Sequence, residues 1–180
     1  WKADLSLVDV STLIKLTTHD ATLHENLNRF AMACLVEAWQ NLKDSQTEIE
    51  HLERYKAWLG AMAKSVEAGR YFGTHGGIQL NHMRSNLRHV LIDQLYNSLQ
   101  PTGASAAAEA VHRVLQYASR FFQGVTEPLD VLLADGLLHR IYDYQPHSDC
   151  SQFLELMAHQ KPNMKILEIG AGTGSFTNII

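Results

Sequence analysis

Cysteine is scarce in this chain of 180 residues: two, Cys34 and Cys150, lie far apart. A disulfide framework is excluded, and a reducing compartment, the cytoplasm, is the expected setting. Ten histidines are scattered along the sequence, but none falls in an HExxH phrase and no cysteine pair sits near a histidine pair, so no metal site is expected. Basic residues do not gather beside aromatics and the formal net charge is −4, which removes the electrostatic footprint of nucleic acid or an anionic membrane as partner. No uncharged apolar run approaches the length of a membrane span. No Gly-x-Ser-x-Gly elbow marks a hydrolase. The opening Trp-Lys-Ala-Asp has neither an initiating Met nor the apolar segment of a signal peptide, so the chain is expected to be cut from something longer. Proline is confined to positions 101, 128, 146 and 162, each where a helical pattern starts or stops. What is present is ordinary for a globular protein: 46% hydrophobic and 19% charged residues, enough to build a core and too apolar for disorder.

Residues 1–20 have mixed spacing and read as a linker with a short helical piece. From Leu23 the helical period takes over, with Leu27, Phe30, Ala31, Cys34, Leu35, Ala38, Trp39 and Leu42 on one face. Asp44–Gln46 breaks it. Thr47 followed by Glu50 has capping-box spacing and predicts a second helix, with Ile49, Leu52, Tyr55, Leu59, Met62, Ala63 and Val66 inward and Gly69 at its end. Gly73–Gly77 reads as a loop. A third helix is expected to bury Leu80, Met83, Leu87, Val90, Leu91, Leu95 and Leu99. A fourth carries Ala107, Ala110, Val111, Val114, Leu115, Ala118, Phe121 and Phe122 and ends at Gly124. A fifth starts at Thr126, accepts Pro128 in its first turn and carries Leu129, Leu132, Leu133, Leu137, Leu138 and Ile141. After Pro146, Ser148 or Asp149 is placed to cap a short helix with Phe153, Leu154 and Met157. At Lys161-Pro162 the character changes: Met164–Ile169 predicts a buried strand, Gly170–Gly174 a turn, and Phe176–Ile180 the next helix.

Ile166 to Gly174 reads Ile-Leu-Glu-Ile-Gly-Ala-Gly-Thr-Gly. A strand, a glycine turn and a helix in succession form a nucleotide-binding device, because glycine adopts positive φ and lets backbone approach a ligand closely. The glycines fall at 170, 172 and 174 with Ser at 175, which is not the dinucleotide spacing Gly-x-Gly-x-x-Gly, and no Gly-Lys-Ser/Thr follows as in a P-loop. Glu168 stands two residues before the first glycine. A carboxylate there repels a pyrophosphate and suits a ligand bearing an ammonium or a sulfonium. S-adenosylmethionine has both and no phosphate.

Glu168-Ile-Gly-Ala-Gly-Thr-Gly174 resembles motif I of class I S-adenosylmethionine-dependent methyltransferases, without departure in the loop. More of the chain, residues 124–142, 153–159 and 162–170, resembles the C-methyltransferase domain of fungal highly reducing polyketide synthases; the likeness is strongest over 124–178. Ser175-Phe176 departs from the Gly-Thr expected there, past the glycines. The resemblance implies a mostly α-helical lid subdomain (21–160) after a linker (1–20), then the first βα unit of a Rossmann-like α/β core (161–180), truncated. It implies methyl transfer from S-adenosylmethionine to the α-carbon of a β-ketoacyl chain on the phosphopantetheine arm of an acyl carrier domain. Glu168, Gly170, Ala171, Gly172 and Gly174 would bind the cofactor, with Tyr142 from the lid. The base, a His paired with a carboxylate, and the ribose-binding acid are expected downstream of Ile180, so the fragment alone is expected to be inactive. A dehydratase and other synthase domains would be neighbours in a homodimeric megasynthase. A non-catalytic, structural methyltransferase domain is the rival reading. A nucleotide-dependent oxidoreductase is disfavoured by Ser175.

Blander roles compete for several of these residues. Tyr142 and Tyr144, like Trp39, Trp58 and Cys34, have core packing as the alternative to a functional role. His82 and His89 read as surface or partly buried, and His139 stands near the expected lid.

Overall fold

The computed structural model describes residues 8–16, 20–44, 52–69, 80, 82–144, 148–171, 174 and 177. In chain order they form α1 (Val10–Leu13), β1 (Lys15–Leu16), α2 (Ala21–Asp44), α3 (Glu53–Glu67), α4 (Ser85–Leu99), α5 (Ser105–Phe122), α6 (Pro128–Leu133), a 3₁₀ turn (Ala134–Gly136), α7 (Leu137–Tyr144), β2 (Ser148–Asp149) and α8 (Ser151–Gln160). The chain divides into two compact units, one of residues 20–144 and one of residues 1–19 with 145–180. This division falls one helix earlier than the boundary at 160–161 read from the sequence.

The larger unit is all helix. Its centre is α2, about 36 Å long at 1.5 Å per residue, which packs against α4 and α5 and more lightly against α3. The Asp20 carboxylate accepts the Thr22 N–H at 2.8 Å and so satisfies one donor of the first turn. Phe30, Met32, Ala33, Cys34 and Val36 of α2 form the core with Val66, Ile92, Leu99 and Ala108. Burial, reinforced by the nearby Glu37 carboxylate, pushes the Cys34 thiol up to about 12, so it is a packed, protonated group. Trp39 closes the α2–α3 contact: a Cβ on Gly60 would stand 2.8 Å from its ring. Glycines end two helices as expected, Gly69 with φ 65° and Gly124 with φ 68°.

Where the helical period misplaced residues, the reason is visible. In α4, Leu87 and Val90 are 53% and 52% exposed, while Arg88 and Ile92 are buried. The stripe is rotated because Glu37, fully buried on α2, demands a cation opposite. Arg88 Nε donates to its Oε2 at 2.6 Å, and Ser85 Oγ donates to Oε1 at 2.8 Å. Arg88 also donates to the carbonyls of Leu80 and Met83, and His89 Nε2 lies 2.9 Å from Glu37 Oε1. Tyr55 and Trp58, expected inside, are exposed. The single helix expected from Thr126 is broken at Asp135 (φ 56°), followed by Gly136 (φ 66°). The capping box at Thr47–Glu50, Ile49, the Gly73–Gly77 loop and Pro146 lie outside the described residues.

In the smaller unit β1 and β2 pair antiparallel, Lys15 opposite Asp149 and Leu16 opposite Ser148, and α1 packs on α8. The N-cap of α8 is Cys150, without a side-chain cap, and not Ser148 or Asp149; Asp149 stands one residue earlier and accepts the Ser151 N–H at 3.1 Å and its hydroxyl at 2.6 Å. The buried strand expected over Met164–Ile169 is not formed: the backbone there is irregular, with Leu167 83% and Ile169 87% exposed. A strand exists through its ladder, and among the described residues no strand pairs with this segment. The helix expected over 176–180 falls, save Thr177, outside the described residues. Among the described residues no helix is long and apolar enough to cross a membrane.

Candidate cofactor-binding site

The glycine loop follows the irregular apolar segment. Gly170 has φ 78° and Gly174 φ 80°, conformations strained for any residue with a Cβ. Between them the Gly174 N–H donates to the Ala171 carbonyl at 2.8 Å, which closes a tight turn with Ala171 exposed. Among the described residues a Cβ on Gly170 would meet nothing within 4 Å. Gly172, the middle glycine of the motif, lies outside the described residues.

Glu168 is half-buried at the mouth of this turn. Thr177 Oγ1 donates to its Oε2 at 2.6 Å, tying the carboxylate across the loop. Thr177 also stands 3.7 Å from where a Gly174 Cβ would be, an ordinary contact, so it is the positive φ and not lack of space that calls for glycine at 174. The structure therefore brings together Glu168, Gly170, Ala171 and Gly174, and adds Thr177. That residue was missed because a hydroxyl three positions past a glycine carries no signal by itself. Tyr142 is half-buried on α7 in the helical unit, and His139 beside it is exposed. Among the described residues no group of three His, Cys, Asp or Glu is placed to hold a metal ion.

No protein-family model matches the chain. In three dimensions it is similar to the trans-methyltransferase CalH, whose crystal structure is a complex with SAH, with TM-score 0.82 and 26% identity over 94% of this chain and 48% of that one. The fold thus defines a methyltransferase-like region: a mostly helical part followed by the start of a Rossmann-like core. The homologues are fungal highly reducing polyketide synthases, matched along the whole chain. The synthase pspA of Penicillium soppii is 35% identical over 98% of this chain. The synthase g433 of a Fusarium species is 32% identical over 100%, and the squalestatin hexaketide synthase of a Phoma species is 32% identical over 99%. The chain spans 7% of the length of each of these three synthases.

Proposed function

We propose that the chain is the opening part of a C-methyltransferase domain of a highly reducing polyketide synthase. The domain transfers a methyl group from S-adenosylmethionine to the α-carbon of a β-ketoacyl chain carried on phosphopantetheine. The observation that carries this reading is the acid-and-glycine turn, Glu168 to Gly174, in a chain similar to such synthases and to a methyltransferase crystallised with SAH.

The residues present fit that cofactor. Glu168 is a carboxylate held by Thr177 beside a turn whose described glycines are left-handed, with no described residue crowding Gly170. A carboxylate and backbone at close approach suit a cationic, phosphate-free ligand. When bound, S-adenosylmethionine supplies a methyl group activated on a sulfonium. Glu168 would order the loop and face the ligand's positive charge, Gly170, Ala171, Gly172 and Gly174 would present backbone to it, and Tyr142 would cover it. No residue of this chain is assigned the removal of the α-proton, and we expect no turnover by these 180 residues alone. An acyl carrier domain, a dehydratase and a second synthase chain are the proposed partners, and the cytoplasm the proposed compartment.

The test is calorimetric titration of S-adenosylhomocysteine into this polypeptide extended through the rest of the domain. Binding that disappears in Gly172→Arg supports the reading. A folded extended form that does not bind would leave the domain a structural element of the synthase.

A further inference from the structure

The helical unit contains a cleft of about 840 Å³ that the proposed reaction has not used. Well-packed interiors leave few voids larger than a water molecule, while ligand pockets run from roughly 300 to 1,000 Å³ and are mostly apolar. Ala38 of α2 and Ala110 and Ala118 of α5 contribute small side chains to the lining, where larger ones would fill the space. Val114, Leu138 and Trp58 add further apolar surface. Hydrogen-bonding groups are few, so the occupant that fits has little to offer but hydrocarbon.

Two features show that the space is held open. Among the described residues only Leu52 (φ 72°) and Asp135 (φ 56°) are non-glycine residues in the left-handed region. Leu52 lines the cleft, and Asp135 makes the bend between α6 and α7, both of which contribute to its wall. At Leu52 this conformation is strained, and such strain persists where the surroundings over-determine it and gathers at binding sites; Asp135 adopts it more readily and marks the bend. The bend is also clamped. Arg113 of α5 donates to the Val131 carbonyl at 3.2 Å, to the Ala134 carbonyl at 3.4 Å and to Asp135 at 3.2 Å. Glu109 then joins Arg113, at 2.5 Å, to Arg140 of α7, at 2.9 Å. A polar clamp thus fixes the wall whose apolar residues face the cleft.

We propose that this cleft binds the aliphatic tail of an acyl thioester, a site separate in composition from the glycine loop. It rests on the polyketide-synthase reading for the source of that chain, since a reduced polyketide is largely alkyl. Ala110 and Val114 would then limit the length or branching of the tail accepted.

The test titrates octanoyl-, decanoyl- and dodecanoyl-pantetheine into the 180-residue chain by calorimetry. Each methylene that enters the cleft should tighten binding by up to about fourfold. A dodecanoyl thioester brominated at its terminal carbon should quench tryptophan fluorescence saturably, and Trp58→Phe should remove most of that response. Ala110→Phe should weaken binding at least tenfold; should it fail to fold, Val114→Arg, at a part-exposed position, takes its place. Affinity indifferent to chain length, or unchanged by a folded cleft-filling variant, overturns the proposal. So does Trp58 becoming shielded as protein concentration alone rises, which would make the cleft a self-association surface. The two readings fail separately. Loss of alkyl binding with S-adenosylhomocysteine binding intact in the extended polypeptide removes only the cleft. The converse leaves an alkyl site in a domain that is not a methyltransferase.

Discussion

The helical unit and the glycine loop are opposite cases of how a sequence commits to structure. In residues 20–144 the pattern is diffuse, no short phrase stands out, and yet a core forms around Phe30, Ile92 and Leu99, each almost fully buried. In residues 164–174 the pattern is sharp enough to suggest a cofactor, yet Leu167 and Ile169 stand in solvent. Helical hydrogen bonds are satisfied within one segment, so α2 needs only something apolar to lie on. A sheet strand needs neighbours for both its hydrogen bonds and its two faces. A chemical motif and a stable fold are therefore distinct properties of a segment, and here they are divided between two parts of one chain.

That division can be broken first at Glu37. Glu37→Ala leaves Arg88 buried without its carboxylate and should cost about 3–5 kcal/mol, read as a lower urea midpoint of the helical unit. Glu37→Leu with Arg88→Met should recover most of that loss; no recovery would mean that the ion pair itself, and not the orphaned charge, sets the stability. Gly60→Ala is next. Its Cβ would press on the Trp39 ring, and overpacking of this kind costs about 1–3 kcal/mol. A neutral result would show that α3 shifts freely against α2.

The clamp on α7 should respond to acid. Burial opposes ionisation of Glu109, but hydrogen bonds from Arg140 and Arg113 outweigh it and hold the carboxyl below its usual range. A lowered folded-state pKa gives stability that is present above the unfolded value and is lost as pH falls through the folded one. The difference in unfolding free energy between the wild type and Glu109→Gln should be of the order of 1 kcal/mol or less at neutral pH. It should begin to fall as pH drops below the ordinary carboxylate pKa and vanish below the lowered folded-state value, and a difference that grew in acid would contradict the clamp. The smallest effect belongs to the other region. Leu167→Ser and Ile169→Ser should shift the unfolding of the helical unit by less than about 0.5 kcal/mol, and a larger shift would show that the apolar segment is packed in solution.

Much of the fold was legible because α-helix is a local decision. The span of α2, the glycine stops at 69 and 124, Pro128 in a first turn and the start of α8 near Asp149 all follow from residues a few positions apart. The failures that have a visible cause are non-local. Leu87 and Val90 turned outward because of a carboxylate some fifty residues away, which no periodicity records. The break at Asp135 is maintained by Arg113 and Glu109 from another helix, although their own i,i+4 spacing was readable as a surface pair. At the candidate site, Glu168, Gly170, Ala171 and Gly174 were readable from the motif, whereas the tie from Thr177 depends on the loop's path. The apolar cleft could not be read at all, because absent volume has no letter in the sequence.

The Glu37–Arg88 pair has one more consequence. Two apolar helices can slide by a turn, about 5.4 Å, and still present leucines to each other. α4 cannot slide along α2 without carrying a guanidinium away from the one carboxylate that neutralises it. The pair therefore works as a key, rejecting mis-registered packings that hydrophobic burial alone would tolerate. The register of α4 on α2 is thus fixed by polar contacts to Glu37 as well as by the burial of Ile92 and Leu99.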